Sequence, residues 1–97
     1  MSVSTQTRLC VQAHVVFAQV GEEAVLLNTE SGRYFGLDAI GSRVWLSLTG
    51  TATEEQICAE LLEEYAVDPG VLRTDIRRLL DQLAQSGLIT SVDAVTV

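Results

Sequence analysis

The run Glu30-Ser31-Gly32-Arg33-Tyr34-Phe35-Gly36-Leu37-Asp38 constrains the fold most, because the period of the sequence changes across it. Before it, apolar residues come in short runs rich in valine, leucine and phenylalanine. After it, they recur at helical spacing. Glu30 to Arg33 is the strongest turn signal in the chain, with Gly32 free to take a positive φ. Tyr34 to Leu37 is a short extended stretch, and Asp38 is suited to cap a helix by accepting first-turn N–H groups.

Upstream, Arg8 to Gln19 is predicted as one strand. Val11, Ala13, Val15 and Phe17 share one parity, and Gln12, His14, Val16 and Ala18 the other, so the alternation is imperfect. Val20 to Glu23 reads as a turn, and Ala24 to Asn28 as a buried strand too short for a helix. Arg33 to Leu37 returns as the third strand. Connections this short allow only an antiparallel meander, since parallel strands need long crossovers.

Downstream, Ile40, Val44, Trp45 and Leu48 mark an amphipathic helix of about ten residues, with Trp45 in its core stripe. Thr49 to Ala52 ends it. Thr53 caps a second helix whose apolar stripe is Ile57, Leu61, Leu62 and Tyr65. Asp68 and Pro69 open a third helix, with Leu72, Ile76, Leu79, Leu80 and Leu83 as its core and Gly87 as its terminator. Leu88 and Ile89 pack back. Ser2 to Thr7 and Ser91 to Val97 read as tails. Strands followed by helices predict an α+β fold, a three-stranded antiparallel sheet followed by three helices, as one domain over 1–97 with its core at about 8–90.

Composition narrows the function. An apolar fraction of 47% excludes disorder. A net charge of −7 argues against nucleic acid, whose affinity comes from Lys and Arg neutralising phosphates. No run is long enough to span a membrane, and Met1 to Thr7 has no apolar signal region, so the expected location is cytoplasmic. Cys10 and Cys58 fit no zinc or redox spacing and read as reduced thiols. His14 is the only histidine, which leaves no ligand set for a metal and no recognisable Cys–His dyad, so neither catalysis nor a cofactor is expected. The acidic pairs Glu22-Glu23, Glu54-Glu55 and Glu63-Glu64 read as solvated charge.

The third strand has no Pro or Lys to blunt it, and an unshielded edge is usually blunted or used. Phe35 and Leu37 share a face and are expected mostly in the core, with Tyr34 and Gly36 on the other. On the third helix the flank Val71, Asp75, Arg78 and Gln82 lies beside the core stripe, with Leu79 at the border, so it is placed to wall a cleft along that edge. Asp75 and Arg78 are then placed to pair with charged ligand residues. Arg33, Tyr34 and Asp75 also fit simple solvated positions, and periodicity leaves open which flank faces the strand.

The features Val25-Leu26-Leu27 through Gly32-Arg33-Tyr34-Phe35 and Leu37-Asp38, then Gly41, Val44-Trp45 and Thr49-Gly50, then Thr53-Glu54-Glu55 with Ile57, and Asp75-Ile76 through Leu80, Leu83 and Gly87-Leu88-Ile89, together resemble the PqqD-like proteins. These are also known as RiPP recognition elements, for ribosomally made, post-translationally modified peptides. The resemblance covers about residues 11 to 90. It implies a winged helix-turn-helix-like domain without catalysis of its own. It also implies binding of a precursor's leader peptide as a strand added along the third strand and against the third helix, at Arg33, Tyr34, Phe35, Gly36, Leu37, Val71, Asp75, Arg78, Leu79 and Gln82. The partner it implies is a radical S-adenosylmethionine (radical SAM) enzyme in the quinone pathway or a leader peptidase in lasso-peptide pathways. The Ser31-Gly32-Arg33-Tyr34-Phe35 turn and strand resemble the lasso-peptide type more. The alternatives are a winged-helix DNA-binding regulator, which requires a basic face on the third helix, and a dimerisation module using the same edge.

Overall fold

The computed structural model describes residues 7–92, so the expected tails lie almost wholly outside the described residues. The elements run β1 (Arg8–Val11), β2 (Val15–Val20), β3 (Glu23–Asn28), β4 (Arg33–Leu37), α1 (Ala39–Leu48), β5 (Ala52–Thr53), α2 (Glu54–Glu64), α3 (Pro69–Gln85) and β6 (Ile89–Ser91). The fold is α+β, as the order of periods predicts, but it holds two antiparallel sheets rather than one.

The larger sheet is the expected meander, in the order β2-β3-β4. The β2–β3 loop has two residues with Gly21 at φ 64°, the first central position where a type II′ turn needs positive φ. The β3–β4 loop, 29–32, closes through a bond from the Gly32 N–H to the Asn28 carbonyl (2.7 Å), with Gly32 at φ 75°.

The second sheet, β5-β1-β6, corrects the reading of Arg8 to Gln19 as one strand. The chain turns at Gln12–His14, where the Val15 N–H bonds the Gln12 carbonyl (3.3 Å), and β1 leaves to pair with β5 and β6. The odd-numbered apolar parity runs straight through the turn, and neither Gly nor Pro marks it. The pairing is settled from elsewhere. Cys10 lies opposite Thr90, and the Gln12 N–H bonds the Leu88 carbonyl (3.0 Å).

The helices follow their caps. The Asp38 carboxylate accepts the Gly41 N–H (2.7 Å) at the start of α1. Thr53 and Gln56 form a reciprocal capping box on α2. The Asp68 carboxylate accepts the N–H groups of Gly70 and Val71 at α3. Gly87, at φ 72°, releases the chain toward β6. Leu26, Val44, Leu48, Ile57, Leu61 and Leu83 are fully enclosed between the β2-β3-β4 sheet and the helices. Each contributes about 1.5–3 kcal/mol by burial. Trp45 is buried, as its place in the stripe predicts.

Glu54 departs from its expected solvated role. It is buried, and the Arg77 guanidinium meets it at 3.0 Å. Its position at the start of α2, against α3, gives the charge both a helix N-terminus and a cation. Among the described residues no helix is long and apolar enough to cross a membrane.

Candidate functional site

β4 is one of the two edge strands of its sheet, and its backbone can be oriented from one bond. The Thr29 N–H donates to the His14 carbonyl (3.1 Å), so Thr29 turns its polar backbone toward the β2 side. In an antiparallel ladder these directions alternate, so Asn28, Leu26 and Ala24 turn theirs toward β4. Their partners Arg33, Phe35 and Leu37 are therefore the bonded ones. The N–H and C=O groups of Tyr34 and Gly36 point away from the sheet, along the free edge.

Two clefts run along α3, one against the start of α1 and one against the start of β4. The first, of about 260 Å³, opens where β4 runs into α1. One wall is Asp38, Ile40, Gly41 and Val44, and the floor is Leu72 and Ile76. Asp75, Arg78, Leu79 and Gln82 of α3 form the other wall. The second, of about 400 Å³, lies at the start of β4, where Ser31, Arg33, Tyr34 and Phe35 face Gln85, Ser86 and Leu88.

Asn28 and His14 tie the two walls together. The buried Asn28 amide donates to the Ser86 carbonyl (3.0 Å), while its oxygen accepts the N–H groups of Glu30 (2.9 Å) and Ser31 (3.2 Å). His14 places Nε2 at 3.1 Å from the Gly87 carbonyl and Nδ1 at 3.5 Å from the Glu30 carboxylate. The turn that leads into β4 is thus anchored to the end of α3, which fixes the separation of strand and helix at that end.

The flank of α3 containing Asp75, Arg78 and Gln82, with Leu79 half-buried at its border, faces the start of α1 across the first cleft, and Gln85 is the α3 residue that shares a cleft with β4. Val71 belongs to the same flank but lines neither cleft and is exposed. Tyr34 is 72% exposed, Phe35 is half-buried and Leu37 is 5% exposed, in the core. Gly36 lines neither cleft. Sequence reasoning missed Ile40, Val44, Gln85 and Ser86. Extending the flank 75, 78, 82 by one further turn reaches Gln85, so that residue was within reach of helical spacing.

What the arrangement offers is a row of outward main-chain donors and acceptors, apolar hollows and a few charges at the rim. That is the provision for an extended peptide added to a sheet edge. On α3, Arg77 is engaged by Glu54, and Asp75 and Asp81 lie among the remaining arginines, so the helix presents no basic face to nucleic acid. Among the described residues no cluster of three His, Cys, Asp or Glu side chains is placed to hold a metal ion.

Residues 23–89 match the family model of coenzyme PQQ synthesis protein D. No curated protein matches the chain. Two solved structures resemble it. TbiB1 in complex with the TbiA(beta) leader peptide is 35% identical, with a TM-score of 0.76 over 91% of this chain and 99% of that one. A lasso peptide synthetase B1 complexed with its leader peptide is 23% identical, with a TM-score of 0.74 over 84% of this chain and 96% of that one, and speaks to the fold alone. With the family model spanning most of the chain, from the start of β3 to the start of β6, the chain belongs to the PqqD family.

Proposed function

We propose that this protein is a non-catalytic peptide chaperone. It captures the leader segment of a ribosomally made precursor as an added strand on β4. It then presents the precursor to an enzyme that cleaves the leader or modifies the peptide, in lasso-peptide biosynthesis. The observation that carries the reading is the free edge of β4, whose Tyr34 and Gly36 backbone groups face outward, with a cleft between the start of the strand and the end of α3. The likeness to TbiB1, solved with a leader peptide, supports it. The whole described chain acts as one binding unit, and its place is the cytoplasm, where precursors are made.

The chemistry follows from the edge. Main-chain bonds to Tyr34 and Gly36 hold any extended segment, and side chains entering the clefts select among segments. Leu79, Ile40 and Val44 favour an apolar side chain in the first cleft, with Asp75 and Arg78 at its rim for charged neighbours. Arg33 and Gln85 set the second cleft. A segment paired antiparallel to β4 enters beside α1 and leaves beside the 29–32 turn, so the part of the precursor to be processed emerges at the Asn28 end.

Titration of fluorescently labelled leader, taken from the precursor gene beside this one, tests the proposal. Binding is expected, and Leu79→Arg weakens it at least roughly tenfold, the loss of one apolar anchor. Leader N-methylated at the residues opposite Tyr34 and Gly36 loses on the order of 1 kcal/mol for each main-chain bond removed. Absence of binding at roughly 50 µM, a concentration that detects interactions near −6 kcal/mol, refutes the function. Undiminished binding after replacing Tyr34 and Asp75 together refutes the site.

A further inference from the structure

The β2-β3-β4 sheet is apolar on both faces. One face covers the core. On the other, strand register aligns Val16, Leu27 and Tyr34 in one row and Ala18, Val25 and Gly36 in the next. Val16, Val20, Val25 and Tyr34 are 51, 69, 37 and 72% exposed. An antiparallel sheet with one solvated face normally alternates apolar-in with polar-out, and here the outward positions are apolar as well. The second row is a trough. Ala18 and Gly36 are its shallow ends, and a Cβ built on Gly36 meets nothing within 4 Å. The strand charge on this face is Glu23, opposite Val20, with Glu22 in the adjoining turn. The chain contains no lysine.

We propose that this outer face is the docking surface for the enzyme that acts on the presented peptide, through an apolar ridge bordered by Lys or Arg. The proposal rests on the leader-binding reading and extends it to the partner. Area and charge choose the occupant. The exposed side chains present on the order of 400 Å², short of the roughly 800 Å² per partner of a stable interface. Two copies, each with a net charge of −7, repel one another, which disfavours a second copy. A peptide added beside β4 supplies the missing area, because alternate side chains of the new strand project onto this same face. The enzyme therefore reads protein and leader together, and leader binding raises its affinity for the protein. By linkage, the enzyme raises leader affinity by the same factor.

The experiment uses the full chain, labelled leader and the purified peptidase or modifying enzyme encoded beside this gene. Leader affinity and enzyme affinity are measured separately, the latter with and without saturating leader. Val16→Thr combined with Val25→Thr keeps the β-branched shape and lies outside both clefts. Enzyme affinity is expected to fall on the order of tenfold while leader affinity stays within roughly twofold. Glu23→Lys slows enzyme association and weakens its salt dependence. Unchanged enzyme affinity in the double variant overturns the proposal, as does failure of the wild-type chain to bind the enzyme with leader present. A wild-type dimer in sedimentation that the double variant disperses also overturns it, assigning the face to a second copy. Failure of the wild-type chain to bind leader overturns the leader-binding reading instead, and shows in the other titration.

Discussion

Replacing Asn28 by alanine removes the bridge between the turn before β4 and the end of α3. The side chain is 6% exposed and makes three hydrogen bonds, one donated to the Ser86 carbonyl and two accepted from Glu30 and Ser31. A net contribution of about 1 kcal/mol per bond sets an upper figure of about 3 kcal/mol. The Glu30 and Ser31 N–H groups lie in an exposed turn, where water replaces the lost acceptor, so the expected loss is about 2 kcal/mol. Against the roughly 5–15 kcal/mol of a typical domain this is large. Urea denaturation at unchanged slope measures it, and leader affinity falls with it because the cleft walls are no longer held at their spacing. Asn28→Asp separates the two halves of the bridge. It keeps the acceptor for the turn but sets a carboxylate oxygen against the Ser86 carbonyl, so the folded state favours the protonated acid. The native form then binds a proton that the unfolded chain releases, and this variant is most stable at low pH, losing stability as pH rises through its raised folded pKa. A loss below about 0.5 kcal/mol for Asn28→Ala, within the range of an ordinary surface change, refutes the bridge.

Gly36→Thr adds a side chain over open space in a strand and raises stability by about 0.5–1 kcal/mol, read as a higher denaturation midpoint, while filling the trough and weakening enzyme docking. Gly87→Ala forces a side chain into a backbone at φ 72° and sets its Cβ 3.3 Å from the Asn28 amide, costing about 1–2 kcal/mol by the same denaturation measurement. The Arg43–Glu64 pair joins α1 to the end of α2, and the Arg43 hydrogen bond lowers the Glu64 pKa below the ordinary glutamate value. Its contribution is present above the unfolded pKa of Glu64 and is lost as pH falls through the lowered one. Stability of Arg43→Gln is therefore less sensitive to acid than that of the parent, in paired denaturation curves across that range.

Caps and periods made most of this fold legible. Asp38, Thr53 and Asp68 each sit one residue before a helix, because a side-chain acceptor for orphan N–H groups is a local need that sequence states locally. β4 runs from Arg33 to Leu37 as its apolar run predicts, with Leu37 buried and Tyr34 open as parity requires. The second sheet was not legible. It joins residues some eighty positions apart, and Gln12–His14 carries no turn chemistry to announce that the chain changes sheet. The flank of α3 containing Asp75, Arg78 and Gln82 follows from helical spacing, but spacing could not show that it faces the start of α1, nor that Asn28 and His14 reach Ser86 and Gly87 to bring the end of α3 beside β4. The burial of Glu54 escaped for a similar reason, since its counter-charge Arg77 comes from another helix.

The pairing of β1 with β6 brings Leu9 opposite Ser91, and the Val92 N–H bonds the Arg8 carbonyl at 2.7 Å. The polypeptide between those residues is thus a closed circuit, entered and left at one doorway. A unit of that kind transplants as a cassette: spliced into a surface loop of a host protein, it asks the host to part by little more than the ~5 Å spacing of neighbouring strands. By the same logic, joining 92 to 8 through a short linker and opening the chain at Gly21–Glu22 yields a circular permutant that keeps its thermal transition and its grip on the peptide.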